Sequence, residues 1–185
     1  MNNDSLNSNL DELIAELRKT ALQQNPAKAV VTILENWVAD LDGVIKGMPD
    51  FEDDEVILFE DDSISIWHCR FMPGTTVPAH DHQMMANIAV YSGVERNDFY
   101  LNNAEHVLSK SGEVLAPAGN VVTMSPDAIH TVSCVGEEPS CGIHVYLGNL
   151  SKVSRSLFDV ANNEEMPFTD DNYSRLDLSD ECARH

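Results

Sequence analysis

The stretch from residue 73 to residue 93, PGTTVPAHDHQMMANIAVYSG, decides the fold. A Pro-Gly turn at Pro73 and Gly74 feeds a β-rich run carrying His80 and His82, and the run closes on a second turn glycine, Gly93. Side chains two apart on a strand share a face. The spacing therefore aims both imidazoles at one point and turns Asp81 away. Downstream, SPDAIH (125–130) presents His130 as the first residue of another strand, just after a turn. Three neutral imidazoles with coordination positions left open suit iron, zinc, nickel or copper. The alternative is three unrelated surface histidines.

Outward from this segment, short β-rich runs alternate with turn residues: VILF (56–59), ISIWHCRF (64–71), NIAVYSG (87–93), NDFYL (97–101), VLSKSG (107–112), NVVTM (120–124), HTVSCV (130–135) and CGIHVYLG (141–148). Many short strands at regular spacing predict a sandwich or barrel. Residues 1–50 read instead as a helical lead-in. Leu10, Leu13, Ile14, Leu17 and Ala21 lie on one helix face, with Ser8 or Asn9 as the cap. A second helix starts at Asn25-Pro26 and buries Val30, Ile33, Leu34, Trp37 and Leu41, and a short third runs from Leu41 to Lys46. The barrel occupies 51–150. Residues 151–185 hold a short helix from Val153 to Val160 and an acidic tail, all within one structural domain.

The chain has 185 residues, 11 basic and 31 acidic, for a net charge of −20. That balance excludes nucleic acid and anionic membrane surfaces as partners. No apolar run has the length of a membrane span, and the polar, acidic start has no signal-peptide character. Four cysteines without a CxxC spacing are expected to be reduced thiols in a cytoplasmic protein.

The residues around the histidines resemble the cupin motifs. Gly74, five residues, His80, one residue, His82 and then Gly93 follow the first motif, and SPDAIH with His130 follows the second. The resemblance implies a mainly β protein, a double-stranded β-helix (jelly-roll barrel) with an N-terminal helical segment and a metal held inside. A glutamate ligand usually follows HxH, but Met84, Met85, Ala86 and Asn87 stand there. That absence resembles the thiol dioxygenases, where three histidines bind ferrous iron; zinc and nickel are the alternatives.

CGIHVY puts His144 and Tyr146 on one strand face, as in the Ser-His-Tyr relay of thiol dioxygenases, with Gly142 replacing the serine. Arg155, nine residues after Tyr146, stands where 3-mercaptopropionate dioxygenases bind the substrate carboxylate. A guanidinium fork pairs both carboxylate oxygens at once. A second reading makes Arg155 a helix-surface residue paired with Asp159. Cysteine dioxygenases place an arginine upstream of HxH, and DDEVILFEDDS (53–63) has none. Asn87 occupies the position of their crosslinking cysteine.

The resemblance thus implies an oxidoreductase that converts a small thiol and O2 to a sulfinate, nearer to a 3-mercaptopropionate-like acid than to cysteine, as a monomer or homodimer. Two further readings stay open: another metal-dependent cupin enzyme, such as a non-thiol dioxygenase or an isomerase, and a non-enzymatic metal- or small-molecule-binding cupin. Of the remaining residues, His68 is expected at an exposed strand edge, His106 in solvent and Arg96 on a surface loop. One of Gln83, Met84 and Met85 is expected to face the cavity.

Overall fold

The computed structural model describes residues 8–103 and 107–176. The expectation for His106 and that for the end of the acidic tail lie outside these residues. Three helices come first: α1 (Ser8–Ala21), α2 (Ala27–Val38) and α3 (Leu41–Gly47). Eleven strands follow. They are β1 (Glu55–Glu60), β2 (Ser65–Phe71), β3 (Thr76–His80), β4 (Ala86–Ser92), β5 (Val94–Asn102), β6 (Leu108–Pro117), β7 (Val121–Met124), β8 (Ile129–Cys134), β9 (Ser140–Tyr146), β10 (Ser156–Asp159) and β11 (Glu164–Pro167). A short helix, α4 (Asp170–Leu176), ends the described chain.

The strands form two antiparallel sheets, ordered β1-β2-β9-β4-β7 and β11-β10-β3-β8-β5-β6. From β2 to β9 the chain passes between them so that β2-β9-β4-β7 faces β3-β8-β5-β6. This is the strand order of an eight-stranded jelly roll, or double-stranded β-helix. The expected mainly β barrel with an N-terminal helical segment is the architecture found.

Helices α1, α2 and α3 cover the outer face of the first sheet. Leu13, Leu17, Val30 and Leu34 pack there against Ile64, Ile66, Ile143 and Val145. Complete burial of Leu17 and Leu34 contributes about 2 kcal/mol each. Asn9 accepts the Trp37 indole N–H at 3.0 Å and ties α1 to α2. Asp40 caps α3, accepting the Gly43 backbone N–H at 3.1 Å. Because helices cover one face and the second sheet the other, β9 is buried on both. Ile143 and Val145 meet the helices, whereas Tyr146 packs within the barrel beside Ala86 and Ile88. Among the described residues, no helix is long and apolar enough to cross a membrane.

The structure departs from the sequence reading in several places. The helix expected from Val153 to Val160 is instead strand β10. Leu157 and Phe158 pair with His80 and Ala79 of β3 on one side and with β11 on the other. Leu157 and Phe158 are both buried, which suits a strand sandwiched at a sheet margin rather than a one-faced helix. His82 is not on the strand that carries His80. β3 stops at His80, and the chain turns through Gln83, whose φ is 55°. His68 is not at an exposed edge: β2 lies between β1 and β9, and His68 is 2% exposed beneath Phe51, with its Nε2 2.8 Å from the Tyr91 hydroxyl. Arg96 is on β5 rather than in a loop, paired with Asp98 and Glu113.

Candidate metal centre

Three segments bring His80, His82 and His130 together. His80 ends β3, His82 follows in the turn, and His130 on β8 is the direct cross-strand partner of His80. One ring nitrogen from each lies within 4.8 Å of the others. The Nε2 atoms of His80 and His82 are 3.2 Å apart, and the rings of His80 and His130 have centroids 4.5 Å apart. All three side chains are buried.

The outer nitrogens show which way the lone pairs face. His80 Nδ1–H donates to the Pro78 carbonyl at 2.8 Å, and His130 Nδ1–H donates to Asn97 Oδ1 at 2.9 Å. Each Nε2 is then unprotonated and turned toward the other rings. His130 Nε2 is buried with no hydrogen-bond partner among the described residues. A buried acceptor is not ordinarily left unpaired, and lone pairs converging from neutral imidazoles, with the outer N–H anchored, form the arrangement that holds a first-row transition metal. Burial pulls His80 down to about 4, partly countered by the Pro78 carbonyl. Burial and the neighbouring imidazoles hold His82 and His130 well below the ordinary histidine range. The ligating forms are therefore already deprotonated near neutrality.

The centre opens on a cavity of about 540 Å³, ample for a small organic ligand. Tyr146 lines it, with its ring centroid 4.9 Å from that of His82. Burial pushes the tyrosine up to about 12, so it stays a neutral hydroxyl. His144 is also at the wall, its Nδ1 3.3 Å from the Tyr146 hydroxyl. Burial alone would depress His144. Contacts with Cys69, Tyr146 and Glu95 reverse this and hold it well above the ordinary range.

Two arginines line the cavity, and they differ. Arg70 is engaged by the Asp54 carboxylate at 2.6 Å and donates to the Phe51 and Glu52 carbonyls. Arg155 lies with its guanidinium carbon 3.9 Å from the Phe168 ring centroid and has no ion pair among the described residues. Burial lowers its pKa. Asp159, the partner in the alternative reading of Arg155, is hydrogen-bonded to Asn162 instead. Asp81 points away from the imidazoles, as expected, and is put to use there. Its carboxylate accepts the Ser156 backbone N–H at 2.9 Å, fixing the chain next to Arg155.

Other expectations fare less well. None of Gln83, Met84 and Met85 lines the cavity; Met84 packs toward Gly148, and Gln83 bonds Asp81. Asn87 is paired with Val145 and accepts from Thr123, away from Tyr146, whose cross-strand partner is Ala86. Nothing in the sequence motifs marks Glu95 and Asn97. Both are wholly buried, and both belong to the site. The available signal was the alternation of VERNDFY, which puts Glu95, Asn97 and Phe99 on one face of β5.

No family model matches the chain. Among solved structures, a double-stranded β-helix protein from Klebsiella pneumoniae is 16% identical, over 60% of this chain and 84% of that one, with a TM-score of 0.44. An RmlC-like cupin from Methanocaldococcus jannaschii is 12% identical, over 57% and 91%, with a TM-score of 0.45. A DMSP lyase from Ruegeria pomeroyi is 15% identical, over 60% and 54%, with a TM-score of 0.44. None of these likenesses assigns chemistry to this chain.

Proposed function

We propose that the protein is a mononuclear non-haem iron thiol dioxygenase acting on a small thiol that carries a carboxylate, of the 3-mercaptopropionate kind. The observation that carries this reading is the pairing, in one cavity, of a three-imidazole centre with a guanidinium, that of Arg155, which makes no direct ion pair among the described residues. His80, His82 and His130 would hold ferrous iron on one side and leave the cavity side open. Bound there, iron supplies a site where a thiolate and O2 react with each other. The stoichiometry is R–SH + O2 → R–SO2H: the S–H and O–O bonds break, two S–O bonds form, the thiol proton passes to a sulfinic oxygen or to solvent, sulfur is oxidised and dioxygen reduced.

The chain's own residues place the reactants. Arg155 takes the carboxylate in a two-pronged ion pair, strengthened by its position against Phe168 and away from water. The stack on Phe168 and the Asp81–Ser156 hydrogen bond hold that guanidinium in place. Tyr146 offers a neutral hydroxyl to the reacting oxygens beside His82. Holding both reactants in one orientation accounts for most of the rate. Arg70 cannot serve as a second carboxylate clamp because Asp54 already occupies it. Iron-loaded protein, prepared anaerobically, should consume O2 on addition of 3-mercaptopropionate, and less readily with cysteine or cysteamine. No thiol-dependent uptake with any of the three would remove this reading and leave a metal centre of another chemistry.

A further inference from the structure

We propose that Glu95 is a positioning residue that sets which ring nitrogens of His130 and His144 carry protons, and through His144 the direction of the Tyr146 hydroxyl. The Tyr146 arm rests on the reading of the preceding section; the His130 arm rests on the metal centre alone.

Glu95 is 0% exposed, an unusual place for an acid. Its two oxygens face two different partners. Oε1 accepts from Asn97 Nδ2 at 3.2 Å. A carboxyl oxygen without a proton can only accept, so Oε1 fixes the orientation of the Asn97 amide, with the NH2 toward Glu95 and the oxygen toward His130. That oxygen can likewise only accept. His130 Nδ1, 2.9 Å from it, must carry the proton, and His130 Nε2 is left as a bare lone pair facing His80 and His82. With the amide turned over, two oxygens would confront each other between fully buried side chains. The carboxylate at 95 thus prepares a ligand two hydrogen bonds away.

The second oxygen, Oε2, has no hydrogen-bond partner among the described residues, and neither does His144 Nε2. They face each other across 3.6 Å, an ion-pair separation. A proton on Nε2 satisfies both. The Cys69 thiol, cross-strand from Gly142, also contacts this ring, while a Cβ at Gly142 would lie 3.4 Å from Nε2 and the glycine supplies no polar group there. His144 Nδ1 in turn meets the Tyr146 hydroxyl at 3.3 Å. One buried acid therefore organises a chain from His130 through Asn97, Glu95 and His144 to Tyr146.

The test uses zinc-loaded protein and correlates histidine ring nitrogens with their carbon-bound protons by NMR, alongside zinc affinity from chelator competition. Glu95→Gln should move the His144 ring-nitrogen shifts while leaving those of His80 in place, and should weaken zinc binding about 10- to 100-fold through Asn97 and His130. Asn97→Ala should weaken zinc to a similar degree and leave the His144 shifts at their wild-type values. Wild-type shifts and affinity in Glu95→Gln overturn the proposal, as does a His144 response to Asn97→Ala equal to that of Glu95→Gln. If Glu95→Gln does not fold, wild-type zinc affinity in Asn97→Ala is sufficient to overturn it. None of these readouts uses a thiol or O2, so failure of the dioxygenase reading leaves the result intact.

Discussion

Acid should destabilise this protein through a residue well away from the metal centre. His68 is buried between Phe51 and the Tyr91 hydroxyl, and burial pulls its pKa down to about 4, with Arg70 and His144 adding to the shift. Its folded pKa lies below its unfolded value of 6.5. The unfolded state therefore binds the proton first. Above the unfolded value both states are neutral and His68 costs nothing. Stability is lost as the pH falls from there toward about 4, and the loss levels off below that. At about pH 5.5 the folded ring is still neutral, whereas protonation favours the unfolded chain by a factor of about 11, which is about 1.4 kcal/mol. For a chain of this length that amounts to about 3–6 °C in Tm. The clean measurement is a double difference. Wild type and His68→Phe are unfolded by denaturant at about pH 8 and about pH 5.5, with chelator present. His80, His82 and His130 add an acid sensitivity of the same sign, but it is common to both proteins and cancels. Wild type should lose about 1.4 kcal/mol more than the variant on acidification. Equal losses in the two proteins would refute a buried neutral His68.

Three further outcomes follow from the same structure. A divalent metal at about 100 times its dissociation constant should stabilise the protein by about 2.7 kcal/mol, and His130→Ala should abolish the associated rise in Tm. Asp81→Ala removes a buried acceptor for the Ser156 N–H; stability should fall by about 2 kcal/mol, and KM for a carboxylate-bearing thiol should rise more than kcat falls. Gly93→Ala should be strongly destabilising by denaturant melt, because the residue has a φ of 66° and its Cβ would approach the Pro139 carbonyl oxygen to 2.5 Å.

The parts of the site that were legible are those in which a short motif fixes the geometry. HDH and SPDAIH announce three imidazoles because a turn and a strand end leave few places for them to go, and CGIHVY announces Tyr146 because alternation places it on the His144 face. Legibility failed where long-range packing decides. Val153, Leu157 and Val160 are spaced as on a helix, but the open edge of β3 draws Leu157 into a sheet. His68 looks like an edge residue until Phe51 and the helices are laid over it. Glu95 sits among Arg96 and Asp98 in the sequence, so local polarity suggests solvent. Only the closing of the barrel shows that one face of that strand looks inward. The glycine at 142 signalled a missing partner for His144, and its replacement came from another sheet.

The cavity wall has a consequence for selectivity. The imidazoles are supplied by residues 80 to 130, whereas Arg155, Phe168 and Tyr173 come from the chain that follows the barrel, and β10 docks directly on the strand that ends in His80. The residues that would grip an ion and the hairpin that walls the space beside them are therefore separate parts of the chain. Changes in that hairpin can alter which guest the chamber accepts without touching the imidazoles themselves.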